Sequence, residues 1–229
     1  MNKIVYLIII CLSHFQLISQ ALLSGNLISE KITQRLPISE AVVNGEYEGS
    51  PFLIDSFVEG SLKIAKEATY KMPMRYNIYG DVFEVKYKGR LMQLLPDEMV
   101  ESLHLQNYQL VTAQYELDKK KMKGFLFVLD TGSVNLLKRR NISFEDWKPA
   151  RAQEAGPTLA RFKEGVQIYF IQIGNKIIQI KNVKELPELF PSNRSKIREY
   201  IKEHKIKLKD EKLKELFSFY NGLKKQGQS

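Results

Sequence analysis

The sequence predicts an α+β protein, mainly an antiparallel β meander (a sandwich or an open barrel) with a C-terminal pair of amphipathic helices. Three observations predict it. From residue 50 to about 181, short apolar or alternating runs recur every 8 to 15 positions, separated by turn residues, which is the pattern of short strands in an all-antiparallel region. Beyond residue 192 the apolar spacing becomes helical, at Ile197, Tyr200 and Ile201 and again at Leu213, Leu216, Phe217, Tyr220 and Leu223. The 229 residues are 44% apolar and 27% charged, a balance that supports a real core and argues against disorder and a multi-span membrane protein.

Residues 1–21 read as a secretory signal peptide. Met1-Asn2-Lys3 is a short positive start, 4–18 is mostly apolar, and Ser19-Gln20-Ala21 ends with small residues where a signal peptidase reads. The apolar run is shorter than the roughly 20 residues a spanning helix needs, and Ser13, His14 and Gln16 interrupt it. Cys11 as a lipid carrier is disfavoured by Ile8, Ile9 and Ile10 before it. Cleavage near Ala21 removes the one cysteine and leaves a chain of net charge +8. The expected location is therefore periplasmic or extracellular. A disulfide framework and a thiolate metal cluster are both excluded.

Residues 22–49 form a mixed lead-in segment. The β region spans 50–182. Arg75-Tyr76-Asn77-Ile78-Tyr79 precedes a Gly80-Asp81 turn. Residues 82–87 alternate, with Val82, Glu84 and Lys86 on one face and Phe83, Val85 and Tyr87 on the other. Lys88-Gly89 is the next turn, followed by 90–95. Further runs cover 102–105, 109–117, 123–129, 134–140, 158–162, 166–173 and 176–180. Gly174-Asn175 reads as a hairpin turn because both residues tolerate positive φ. Residues 147–157 read as an exposed connection. The C-terminal helical segment, 183–229, contains helices at about 193–204 and 210–223. Asp210 and Glu211 at the start of the second and Lys224-Lys225 at its end match the helix dipole.

Few residue patterns point to chemistry. Asp130-Thr131-Gly132-Ser133, preceded by the apolar run 125–129, resembles the active-site segment of retropepsin-type aspartic proteases. In that family one carboxylate of a close pair stays protonated while the other activates water. Asp130 is the only Asp-Thr/Ser-Gly in the chain, so such an enzyme requires a symmetric dimer, and Gln172 stands where a downstream apolar pair is expected. The simpler reading is a turn, with Asp opening it and Gly supplying positive φ. His104 and His204 lie far apart without carboxylates at ligand spacing, so no metal is expected. No dinucleotide, P-loop or nucleophile-elbow fingerprint is present, and no cofactor is expected.

Binding candidates are weaker still. Arg75, Tyr76, Asn77 and Tyr79 form the densest polar-aromatic patch and are the candidate ligand surface, with cross-strand packing of tyrosines with polar tips at the rim as the favoured reading. Residues 192–229 carry eleven basic and five acidic residues, a net of +6. Lys205, Lys207, Lys209 and Lys212 are candidates for contact with anionic surfaces. Nucleic acid is disfavoured because no recognition motif accompanies the charge, and Phe217, Phe219 and Tyr220 fall mostly on the apolar stripe.

The order of several short motifs resembles an uncharacterised family of small secreted, β-rich proteins from Bacteroidetes. The carrying residues are Gly49-Ser50-Pro51-Phe52-Leu53 with Phe57 and Gly60, Arg75-Tyr76-Asn77, Phe83-Glu84, the run 125–129, Tyr200-Ile201-Lys202 and Phe219-Tyr220-Asn221. The resemblance implies an extracytoplasmic β-rich domain with a helical C-terminal segment. It implies no catalytic residues, and it makes the Asp130 segment an ordinary variable hairpin turn. The function expected from all this is a non-enzymatic envelope or extracellular module that binds a ligand or protein partner. A dimeric aspartic protease using Asp130 is the alternative, and polyanion binding by the basic helices a further one.

Overall fold

The computed structural model describes residues 47–66, 68–148 and 159–226. The expected signal peptide, the expected lead-in as far as residue 46 and most of the expected 147–157 connection lie outside the described residues.

Among the described residues, two sheets are present. The smaller contains β1 (Tyr47–Glu48), β10 (Ile142–Glu145) and β11 (Ala160–Glu164), in the order β1-β11-β10, with β1 parallel to β11. The larger is antiparallel throughout and has ten strands. These are β2 (Val58–Ile64), β3 (Thr69–Asn77), β4 (Val82–Tyr87), β5 (Arg90–Leu94), β6 (Val100–Leu105), β7 (Tyr108–Leu117), β8 (Lys120–Asp130), β9 (Asn135–Arg139), β12 (Ile168–Ile173) and β13 (Lys176–Ile180). Their order is β13-β12-β9-β8-β7-β6-β2-β3-β4-β5. The predicted α+β class with mostly antiparallel strands holds. The pairing departs from a simple meander where β6 returns to lie beside β2.

Turn residues explain the hairpins. Lys88 (φ 49°) and Gly89 (φ 74°) join β4 to β5, and Asp118 (φ 49°) and Lys119 (φ 63°) join β7 to β8. Both pairs take the left-handed conformation of a type I′ turn, whose twist matches the flanking strands. At the Gly174-Asn175 turn only Gly174 is left-handed, at φ 57°.

The large sheet curls twice without closing into a barrel. Strands four places apart are about 19 Å apart in a flat sheet. The rings of Tyr76 on β3 and Phe125 on β8 nevertheless meet at 5.8 Å. The first curl therefore wraps a core of Leu62, Met74, Tyr76, Phe83, Leu103, Phe125 and Phe127. The second curl bends the other way, because β7 and β8 present their opposite face to it. There Ala113, Tyr115, Leu126, Leu137 and Phe170 pack together, with Ile177 of β13 against them.

Asp81 latches the first curl. The β8–β9 ladder ends at the pair Phe127 and Lys138, so Phe125 N–H has no partner there. Asp81 Oδ1 accepts that N–H at 3.2 Å and the Tyr76 hydroxyl at 2.6 Å. Gly124 leaves the room: a Cβ on it would collide with the Asp81 carboxylate and the Tyr115 hydroxyl. Burial raises the pKa of Asp81, and burial together with the Asp81 charge raises that of Tyr76.

The outer face of β9 and β12 is covered by the C-terminal segment. A 3₁₀ helix, Val183–Leu189, and a 3₁₀ turn, Pro191–Asn193, lead into α1 (Arg194–Glu203) and α2 (Asp210–Gln226). Leu186, Phe190, Ile197, Ile206, Leu213, Leu216, Phe217 and Tyr220 pack on Leu136, Tyr169 and Ile171. Burying each such side chain stabilises by about 1.5–3 kcal/mol. Asp210 pins the start of α2, pairing with Lys138 of β9 and accepting from the Tyr169 hydroxyl at 2.8 Å. Both helices predicted from periodicity are present within a few residues of their expected ends. Among the described residues, no helix is long and apolar enough to cross a membrane.

Candidate functional site

The residues singled out in the sequence do not converge. Arg75 lies on the outer face of β3 and is fully engaged. Its Nε and Nη2 reach Glu84 Oε2 at 2.8 and 2.7 Å, and Nη1 donates to the Asp55 carbonyl at 2.8 Å. The guanidinium lies 3.8 Å from the centre of the Phe52 ring and 4.7 Å from that of Phe57. Tyr76 is inside the first curl. Asn77 is buried in the turn, where its Oδ1 accepts from Gly80 N–H at 2.9 Å. Tyr79 is 45% exposed and packs edge-on against Phe162 of the small sheet at 5.3 Å. The patch is thus divided among an outer clamp, a core ring, a turn and a sheet-to-sheet contact.

Asp130 ends β8, just past a bulge between Val128 and Asp130 that redirects the strand end. It is half-buried against α2. Its Oδ1 accepts from Thr131 N–H at 2.9 Å and its Oδ2 from the Ser218 hydroxyl at 3.4 Å. Gly132 abuts the side chain of Asn221 on α2 so closely that a Cβ would collide with it. The segment serves here as a helix-docking turn. His104 is exposed on β6, and His204 caps α1. Among the described residues, no group of three or more His, Cys, Asp or Glu is placed to hold a metal ion.

The basic residues of the C-terminal segment separate by environment. Lys212 is held by Glu215 at 2.8 Å, and this hydrogen bond lowers the pKa of Glu215. His204 Nδ1 also reaches Glu215, at 2.7 Å. The His204 ring stacks on Tyr200 at 3.9 Å, and Tyr200 stacks on Phe219 at 4.0 Å. This stack ties α1 to α2. Lys205, Lys207 and Lys209 are exposed in the connection between the helices.

A groove that sequence reading missed lies beside this connection. Its volume is about 460 Å³, and it is lined by Val183, Lys184, Pro187, Arg198, Ile201, Lys202 and Ile206. The local sequence dictates its walls. Asn182 starts the 3₁₀ helix by accepting from Lys184 N–H at 3.0 Å, which fixes Val183, Lys184 and Pro187 on one side. On α1, Arg198, Ile201 and Lys202 share a face at i, i+3 and i+4, while Ile197 turns into the core. A Schellman motif closes α1. Lys205 takes φ 48°, its N–H reaches the Lys202 carbonyl at 3.4 Å, and Ile206 N–H bonds the Ile201 carbonyl at 3.1 Å. The motif folds Ile206 back against Ile201 and completes the floor.

The groove therefore joins four apolar side chains with three cations. Arg198 is partly neutralised by Glu188 at 3.2 Å, a carboxylate that also pairs with Arg194. Lys184 and Lys202 have no acidic partner within 4 Å among the described residues. Such a surface suits a molecule with an apolar body and an anionic head. The one sequence signal was the i, i+3, i+4 set on α1, and its partners come from a 3₁₀ helix that carries no clear period. A scan against protein-family models and searches of curated proteins and of solved structures find no match to this chain.

Proposed function

We propose that the protein is an exported, non-enzymatic binding module whose ligand is a small anionic amphiphile held in the groove between the Val183–Leu189 helix and α1. One observation carries this reading. Lys184 and Lys202 stand without acidic partners, among the described residues, over an apolar floor of Val183, Pro187, Ile201 and Ile206. The volume of about 460 Å³ falls within the roughly 300–1,000 Å³ typical of small-ligand sites. The apolar floor supplies affinity, and the cations supply preference for a negative head group.

Calorimetric titration of the full chain with dodecyl phosphate tests it. Dodecyl phosphate is expected to bind, and dodecyl maltoside, with the same tail and a neutral head, to bind far more weakly. Lys184→Gln and Lys202→Gln are each expected to weaken binding about tenfold, the scale of one charge-assisted contact. Equal affinity for the neutral analogue, or unchanged affinity in both variants, sinks the proposal.

A further inference from the structure

The connection between α1 and α2 adds a second observation beside the groove. The last two residues of α1 and the loop after it, 202–209, hold four lysines against one glutamate, Glu203. Within it, Ile206 points inward and is 5% exposed, while Leu208 is 38% exposed between Lys207 and Lys209. Lys202, Lys205, Lys207 and Lys209 are all exposed, and no acidic residue pairs with them within 4 Å among the described residues. Asp210, next in the chain after the loop, is occupied by Lys138 and Tyr169, and Glu215 by His204 and Lys212. Lys202 at the end of α1 and Ile206 in the loop both line the groove, so the two features share one side of the molecule.

We infer that this loop docks on an anionic lipid bilayer, with Leu208 entering the interface among the lysines and the groove opening beside the lipid. Unpaired lysines gain from the negative surface potential of an anionic leaflet, and the gain adds up over the cluster. An apolar side chain at the centre of the cluster gains only where an apolar phase lies behind the charges, as in a bilayer interface. A nucleic-acid backbone offers the charge without that phase. The inference rests on the groove reading only in making the bilayer the source of the amphiphile.

Leu208→Trp in a Trp147→Phe background of the full chain gives one local fluorophore on the loop, whose signal is independent of the apolar leader. Vesicles of phosphatidylcholine with one quarter phosphatidylglycerol are expected to shift its emission to the blue. Pure phosphatidylcholine vesicles are expected to leave it unchanged. Added Lys205→Ser, Lys207→Ser and Lys209→Ser changes are expected to weaken partitioning about a hundredfold, at about fivefold per lysine. The triple Lys→Arg variant keeps the charge and is expected to keep the shift. Circular dichroism of each variant reports whether the fold is retained. No shift on anionic vesicles overturns the inference, as does an equal shift on neutral ones or indifference to the lysine-to-serine changes. Lysine-dependent binding of a single-stranded oligonucleotide without a vesicle response overturns it in favour of nucleic acid. Dodecyl phosphate binding without vesicles reads the groove separately: its loss with the blue shift retained removes the groove reading and leaves the docking face standing.

Discussion

Asp81 shows how much one side chain carries when strands must meet outside their ladders. Asp81→Ala strips the acceptor from Tyr76 and from Phe125 N–H in a buried site, and a loss of about 2–4 kcal/mol is expected in urea unfolding. Asp81→Asn keeps an oxygen acceptor and removes the half-buried charge. The sign of its pH dependence follows from the raised pKa of Asp81. A carboxyl that holds its proton more tightly when folded favours the folded state at low pH. That advantage is lost as pH rises from about 4 through the raised value. Over that range the stability of Asp81→Asn relative to wild type is expected to increase, then level off. A constant difference from pH 3 to 8 contradicts the ionisable latch. Gly124→Ala forces a methyl group against the same carboxylate and is expected to cost about 1–3 kcal/mol. Asp130 is a contrast. Its contacts are a local turn N–H and one long hydroxyl contact, so Asp130→Asn is expected to cost less than about 1 kcal/mol. On the binding-module reading, the wild-type chain cleaves no peptide between pH 3 and 6. Acid proteolysis that Asp130→Asn abolishes supports the dimeric protease instead.

At the scale of elements, the α2 start and the α1 end are the joints that position the groove. Asp210→Ala leaves Lys138, whose side chain is 10% exposed, without its carboxylate. It also removes the acceptor for Tyr169 and a negative charge at a helix N-terminus. A loss of about 2–3 kcal/mol is expected, below that of a fully buried pair because Asp210 is partly exposed. Lys205 occupies the left-handed position of the Schellman motif, where glycine is the unstrained residue. Lys205→Gly is expected to raise stability by about 0.5–1 kcal/mol in thermal or urea unfolding. A loss of stability there argues against the motif as the floor of the groove. Element legibility followed the same physics. β4 is readable to the residue because Glu84 and Lys86 alternate with Phe83, Val85 and Tyr87 between two turns. The start of β8 is not, because Lys120 and Lys121 at its exposed end look like loop residues. β2 carries no clear signal, because Gly60 and Ser61 interrupt its alternation. There Gly60 is required: a Cβ would collide with Met74 and the His104 carbonyl.

The molecule as a whole joins two oppositely curled halves of one sheet through β7 and β8, with the helices sealing the second half. Tyrosines make its stability sensitive to alkali. Burial raises the pKa of Tyr76, Tyr115, Tyr169 and Tyr220, and the carboxylates of Asp81 and Asp210 add to the effect at Tyr76 and Tyr169. Groups of raised pKa contribute stability that is complete below their unfolded value of about 10 and is lost as pH climbs through their folded values. A steep fall in melting temperature above pH 10, reduced in Tyr169→Phe, is the expected outcome. A flat profile to pH 12 contradicts it. Strand-rich class, turn positions and the two helices were legible in the chain because period-two alternation, left-handed turn residues and helical stripes are local properties. Each is set by neighbours within a few residues. The return of β6 to β2, the double curl, the Asp81 latch and the pairing of an α1 face with a 3₁₀ helix were not. They depend on which distant surfaces bury each other, and an apolar stripe states that it must be covered without naming its cover. The groove belongs to this second kind, since its cations and its floor become neighbours only after the C-terminal segment has packed on the sheet.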